Sequence, residues 1–121
     1  MNLFDDFTLE ENLAFHVRFK TMRMDATPLA LAQRMGLAPH LQKQLRFFSS
    51  GMKQRLKLGT AILSNTPLLL LDEPCSHLDA SAIAWYQELL REHAGDRIVV
   101  IASNRQESET QLCNCQLLID N

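Results

Sequence analysis

Pro67-Leu68-Leu69-Leu70-Leu71-Asp72-Glu73-Pro74 is the stretch that decides the fold. Four consecutive leucines cannot alternate between core and solvent. The run predicts a short strand buried on both faces, as at the centre of a parallel sheet. A proline bounds it at each end, and it closes on two adjacent acids. Burying an unpaired carboxylate is costly, which puts Asp72 and Glu73 at the strand's mouth, where open parallel sheets bind ligands. A hydrophobic strand running into Asp-Glu suits chemistry on a magnesium-bound nucleotide. One carboxylate holds the ion's shell and the next polarises water. Taken alone, the motif equally describes a buried strand followed by a solvated acidic loop.

The flanking elements alternate. Ser50 to Ser64 reads as a helix with Met52, Leu56, Leu58, Ala61, Ile62 and Leu63 as its apolar positions, stopped by Asn65-Thr66-Pro67. After the Leu68–Asp72 strand, Ala80 to Ala94 predicts a helix closed by Gly95. Arg97–Ala102 follows as a strand rich in β-branched residues, then a helix over Arg105 to Leu112 and a last strand over Cys115–Ile119. Strands separated by helices make an α/β fold with a parallel sheet.

The front third reads as helical. Thr8-Leu9-Glu10-Glu11 is a capping box. Leu13, Phe15, Phe19 and Met22 give a loose stripe that predicts a helix to about Met24. Thr27-Pro28 opens a second helix and Gly36 ends it, with Leu29, Leu31, Ala32, Met35 and Leu37 on its apolar side. Leu41 to Phe47 is a short helix or turn. The expected division is a helical subdomain over residues 1–48 and an alternating core over residues 49–121.

Three further stretches carry chemistry: Phe48-Ser49-Ser50-Gly51-Met52-Lys53-Gln54-Arg55, Ser76-His77-Leu78-Asp79, and Ile98-Val99-Val100-Ile101-Ala102-Ser103-Asn104. Ser49 and Gly51 open a helix whose free N–H groups and positive dipole end suit an anion. Read plainly, Ser49 is also an ordinary helix N-cap. In this order around the Asp72-Glu73 strand, the motifs resemble the ATP-binding subunit of ABC transporters, from about Leu3 to Ile119.

The resemblance implies a P-loop-type nucleotide-binding core preceded by a helical subdomain that docks on a transmembrane subunit. It implies ATP and Mg²⁺ as cofactors, and ATP hydrolysis that drives substrate through the membrane partner. Two such subunits sandwich two ATPs head to tail. Ser49, Ser50, Gly51 and Met52 then correspond to the signature motif, which faces the γ-phosphate held by the second nucleotide-binding subunit. Asp72 corresponds to the Mg²⁺ position, acting through water, and Glu73 to the general base. Asp79, with Ser76, corresponds to the loop that crosses the dimer interface, and Asn104 to the switch position.

This chain departs from the family pattern at several of these positions. Ser50 replaces a glycine, Met52 a glutamine, Phe48 a leucine, His77 an alanine and Asn104 a histidine. An asparagine amide donates a hydrogen bond but neither titrates nor carries charge. Turnover would then rest more on Glu73.

A phosphate-cradling loop, G-x-x-x-x-G-K-[ST], is absent. Gly36, Gly51, Gly59 and Gly95 are the four glycines, and no two have the spacing. The family's Q-loop would also lie ahead of the matched region. The expectation is the C-terminal half of a nucleotide-binding domain, inactive alone.

At 121 residues the chain is one domain at most. A net charge of -2 leaves no electrostatic footprint for nucleic acid. No run of ~18 apolar residues forms a membrane-spanning helix. Met1-Asn2-Leu3-Phe4-Asp5-Asp6 lacks a signal peptide's basic start and apolar core. A cytoplasmic protein, peripheral at the inner face of the membrane, is expected. Cys75, Cys113 and Cys115 do not supply a four-ligand metal spacing, so free reduced thiols are expected. Lys53, Arg55 and Lys57, with Arg46, read better as a solvated helix face than as a binding patch. Two rival functions stand beside the transporter reading. One is an ABC ATPase that serves no transporter. The other is a non-catalytic module that pairs with a complete ABC subunit and regulates it.

Overall fold

The computed structural model describes residues 4–103, together with Glu109 and Cys113. The main elements run α1 (Leu9–Val17), α2 (Pro28–Met35), α3 (Ser50–Leu63), β1 (Leu68–Asp72), α4 (Ala80–His93) and β2 (Ile98–Ala102), with short 3₁₀ turns at Ala38–His40 and Leu45–Phe47. Among the described residues, no helix is long and apolar enough to cross a membrane.

Local chemistry sets the helix starts. Thr8 and Glu11 form the capping box of α1. Thr27 caps α2, with Pro28 in the first turn, and Gly36 ends it in the left-handed region at φ 73°. Ser49 caps α3, and Asp79 caps α4 through a 2.8 Å bond from the Ala82 N–H. β1 and β2 pair in parallel, Leu68 opposite Ile98 and Asp72 opposite Ala102. The predicted final helix and strand lie outside the described residues, save Glu109 and Cys113.

One apolar core runs from Leu9 and Leu13 of α1, through Leu31 and Met35 of α2 and Leu56 and Ile62 of α3, to Tyr86 and Leu89 of α4. Arg97 ties its rear side together. Its guanidinium donates to the carbonyls of Ile62, Ser64 and Thr66 at 2.5, 2.8 and 2.9 Å, closing the C-terminal end of α3 just before β1 begins.

Three expectations need correction. β1 is not covered on both faces. Leu69 and Leu71 are buried, whereas Leu68 is 47% and Leu70 65% exposed. On β2, Ile98 and Val100 are likewise open to solvent. The helices pack on one face of this sheet, and no described residue covers the other. Helix α1 stops at Val17 rather than near Met24. The chain leaves it to bridge the end of α3, with Met22 opposite Ser64 and the Arg23 N–H bonded to the Leu63 carbonyl at 2.7 Å. Leu29, expected on the apolar side of α2, is half exposed.

Candidate functional site

The acid pair sits at the carboxyl end of β1. Asp72 is the strand's last residue. The Glu73 N–H donates to the Ala102 carbonyl at 2.7 Å, which extends the ladder by one bond. Glu73 has φ 43° and His77 φ 64°, the two non-glycine residues with positive φ among those described. Left-handed backbone at side-chain-bearing residues is strained and collects at functional turns. It allows a sharp reversal after the strand, stitched by the Ser76 N–H to the Glu73 carbonyl at 3.0 Å. Both acids are exposed, and neither carboxylate bonds to a described residue.

The N-terminus of α3 lies against this turn. Ser49 Oγ accepts from the Met52 N–H at 3.1 Å and keeps its own hydroxyl hydrogen to donate. Gly51 meets the turn directly, since a Cβ there would stand 2.9 Å from the His77 carbonyl oxygen. The close approach that glycine allows is therefore made to the protein's own backbone. Ser50 is exposed, and Met52 is half-buried against the core. Asp79 shows its carboxylate at the far end of the turn while capping α4.

Sequence reasoning missed two residues that hold the turn. Gln54 Nε2 donates to the Pro74 carbonyl at 3.0 Å and reaches the Glu73 carbonyl at 3.5 Å. Its position three residues after Gly51, on the same helix face, was the available signal. Glu109 is 2% exposed, and its carboxylate accepts from the Cys75 N–H at 2.7 Å. Nothing in the local sequence marks that contact. Asn104, the expected switch residue, lies outside the described residues.

The basic residues do not make a patch. Arg46 pairs with Asp6, and Lys53 stands 3.8 Å from Asp5. Arg55 stacks 4.9 Å over the Trp85 ring and donates to the Met35 carbonyl. Phe4, Phe7, Phe15 and Phe19 form an exposed ring-to-ring ladder with centroids 5.0–5.8 Å apart.

The donors present fit magnesium in one respect. No group of three His, Cys, Asp or Glu residues that would cage a metal occurs among the described residues. Two free, adjacent carboxylates do. Mg²⁺ is typically held by one or two carboxylates with phosphate oxygens and water completing the octahedron. The 121 residues contain no phosphate-cradling loop to present those oxygens.

Similarity to known proteins identifies the family and the fold. The family model described as "ABC transporter" matches residues 1–76. An uncharacterised ABC transporter ATP-binding protein of Bacillus subtilis, YybJ, is 31% identical over 118 residues, which are 97% of this chain and 54% of that protein. The phospholipid-transporting ATPase ABCA3 of Rattus norvegicus is 31% identical over 105 residues, 84% of this chain and 6% of the larger protein. A solved structure of an ATP-binding subunit of an ABC transporter superposes with a TM-score of 0.77 at 26% identity, covering 93% of this chain and 49% of that one. The chain thus spans about half the length of YybJ and of the solved subunit, and a small part of ABCA3. With the acid pair at the strand mouth and the capped α3 beside it, the chain belongs to the ABC transporter ATP-binding family, with that family's P-loop-type α/β fold.

Proposed function

We propose that this chain supplies the signature-motif and acid-pair half of an ATP-hydrolysing site that energises transport through a membrane partner. The observation that carries the reading is the placement of two free carboxylates, Asp72 and Glu73, beside the Ser49-capped N-terminus of α3, joined by Gln54 and Gly51. Residues 1–48 form the helical subdomain that meets the transmembrane subunit, and residues 49–121 the core. The protein then works at the inner face of the membrane, in the cytoplasm.

Each residue has a distinct task. Asp72, exposed at the strand end, holds the water shell of Mg²⁺. Mg²⁺, held there with ATP, would supply charge neutralisation for the phosphates. Glu73 sits one residue further, its strained backbone turning the carboxylate out of the sheet, and accepts a proton from the attacking water. Ser49 donates its free hydroxyl hydrogen, and the N–H groups of Ser50 and Gly51 add the positive end of α3, toward a γ-phosphate presented by a second nucleotide-binding subunit. Met52 offers no donor. Asp79 lines the subunit boundary, and Asn104 contributes a neutral amide at the switch position.

Because the sequence lacks its own phosphate loop, the chain alone should show no saturable binding of a fluorescent ATP analogue. Binding should appear when a P-loop-bearing ABC subunit is supplied, and Asp72→Asn should weaken it. Saturable micromolar binding by the chain alone, lost on Asp72→Asn, would refute the half-site reading.

A further inference from the structure

Glu109 is the one buried acid among the described residues, and the proposed chemistry leaves it without a task. Its two carboxylate oxygens are used separately. One accepts from the Cys75 N–H at 2.7 Å, and the other from the Ser103 hydroxyl at 2.5 Å. Its backbone carbonyl accepts from the hydroxyl of Tyr86, which is fully buried in the core, at 3.0 Å. A carboxylate buried this far is retained only when its lone pairs are filled.

The two residues it joins are telling. Cys75 lies two positions after Glu73, inside the strained turn. Ser103 follows β2 and immediately precedes Asn104 in sequence. From its other side the turn is held by Gln54 of α3. Glu109 thus clamps the turn to the end of β2, and Tyr86 fixes the clamp to α4.

We propose that Glu109 is a positioning residue that locks the turn carrying Glu73 to Ser103 at the end of β2, so that the turn and the strand end move as one body. The catalytic meaning rests on the proposed function; the mechanical coupling does not. A bidentate carboxylate suits the task because both of its oxygens accept. An amide keeps one acceptor for the Cys75 N–H and meets Ser103 only by making that hydroxyl the acceptor, so Glu109→Gln exchanges two charge-assisted bonds for two weaker neutral ones.

The test is hydrogen–deuterium exchange of the full chain, wild type against Glu109→Gln and Ser103→Ala. Hydrogen bonds to a charged group correspond to a ~10–100-fold change in local opening. Glu109→Gln should speed exchange in the peptide spanning residues 73–79 by about tenfold, the lower end of that range, with the α1 peptide unchanged. Ser103→Ala is the decisive variant, because it removes the Ser103 arm of the clamp and leaves the Glu109 carboxylate and its bond from the Cys75 N–H in place. It should still speed exchange in residues 73–79, by about threefold or more, if the clamp transmits. Unchanged exchange there in Ser103→Ala, or a rise shared equally with α1, overturns the coupling. In an assembly that turns over ATP, both variants should lower kcat with little change in KM. A kcat unchanged while residues 73–79 loosen would sink the catalytic role and leave the mechanical one standing.

Discussion

Arg97→Met is the sharpest test of how the fold holds its site. The substitution keeps an aliphatic stem and removes a guanidinium that makes four contacts of 2.5–2.9 Å, to the carbonyls of Ile62, Ser64 and Thr66 and to the Thr66 hydroxyl. Weaker reaches to the Ala61 and His93 carbonyls, at 3.4 and 3.5 Å, add the C-terminal ends of both α3 and α4. A cation at two helix C-termini also meets their negative dipole ends. Partial burial pushes the Arg97 pKa down, with some repulsion from Arg23, yet an arginine stays charged in a protein. Each hydrogen bond to a charged group is worth ~1.5–3 kcal/mol. The three carbonyls are not independent, and water reaches Thr66 once the side chain is gone. The loss should therefore be about 3–5 kcal/mol, a large share of the ~5–15 kcal/mol that holds a domain folded. Arg97→Lys, a point charge without the planar fork, should recover less than half. The assay is urea unfolding followed by circular dichroism, compared at constant m-value. A midpoint for Arg97→Met corresponding to less than ~1 kcal/mol of loss would refute the account.

Three further outcomes follow from the same geometry. In an assembly that supplies the phosphate loop, Glu73→Gln should keep ATP binding and cut turnover by ~10²–10⁴-fold, whereas Asn104→Ala should cost only about one hydrogen bond to a charged group; steady-state ATPase ranks them, and equal losses would make Asn104 the dominant group. Leu70→Lys with Val100→Lys, on the open sheet face, should reduce self-association in sedimentation without lowering the unfolding midpoint, and a large drop in that midpoint would show the face to be covered within this chain. His16 is held below its usual pKa of 6.5, chiefly by burial and also by nearby Lys20, beside the Ser64 hydroxyl at 3.2 Å. The unfolded chain therefore takes up this proton first, so stability is intact above about 6.5 and falls as pH drops below it toward the folded value; His16→Gln should flatten the melting temperature between pH 7 and 5, and an unchanged slope would assign the effect elsewhere.

What was legible in the sequence was local. Thr8, Thr27 and Ser49 each cap the helix that follows within a few residues, so spacing alone predicts them, whereas the Asp79 cap of α4 appears only in the structure. Gly36 is legible because a left-handed helix end favours glycine. β1 was read to its residue because prolines and acids bound it. The rest depends on partners far along the chain. Arg97 reads as the start of a strand, and only the fold shows that its side chain turns back to α3. Gln54 and Glu109 hold the acid turn from 20 and 34 residues away. The positive φ of Glu73 carries no composition signal, since glutamate is not among the residues that favour it, and the weak preference of His77 does not single it out. The early end of α1 was illegible for the opposite reason. Its apolar stripe continues in sequence through Phe19 and Met22, but backbone pairing with Ser64 and Leu63 outcompetes another helical turn.

The leucine run Leu68–Leu71 departs from its sequence expectation for a physical reason. Its composition is that of a strand apolar on both faces, and one face is open. Leu68, Leu70, Ile98 and Val100 stand 47–67% exposed. Covering all four would recover about half of the ~1.5–3 kcal/mol that full burial of each contributes, so ~3–6 kcal/mol together. That is a large share of the ~5–15 kcal/mol that holds an ordinary domain folded. The open face also runs into the site. Leu70, Leu71, Val100, Ala102 and Asp72 line one groove, so an apolar layer laid on the sheet would end beside the Asp72 carboxylate. Anything held between that layer and Asp72 would favour the covered state by mass action. Completing the core and completing the acid-pair site are then a single equilibrium. A ligand that needs Asp72 should raise the unfolding midpoint only when the covering layer is present, and a layer that docks should itself tighten that ligand by the same factor.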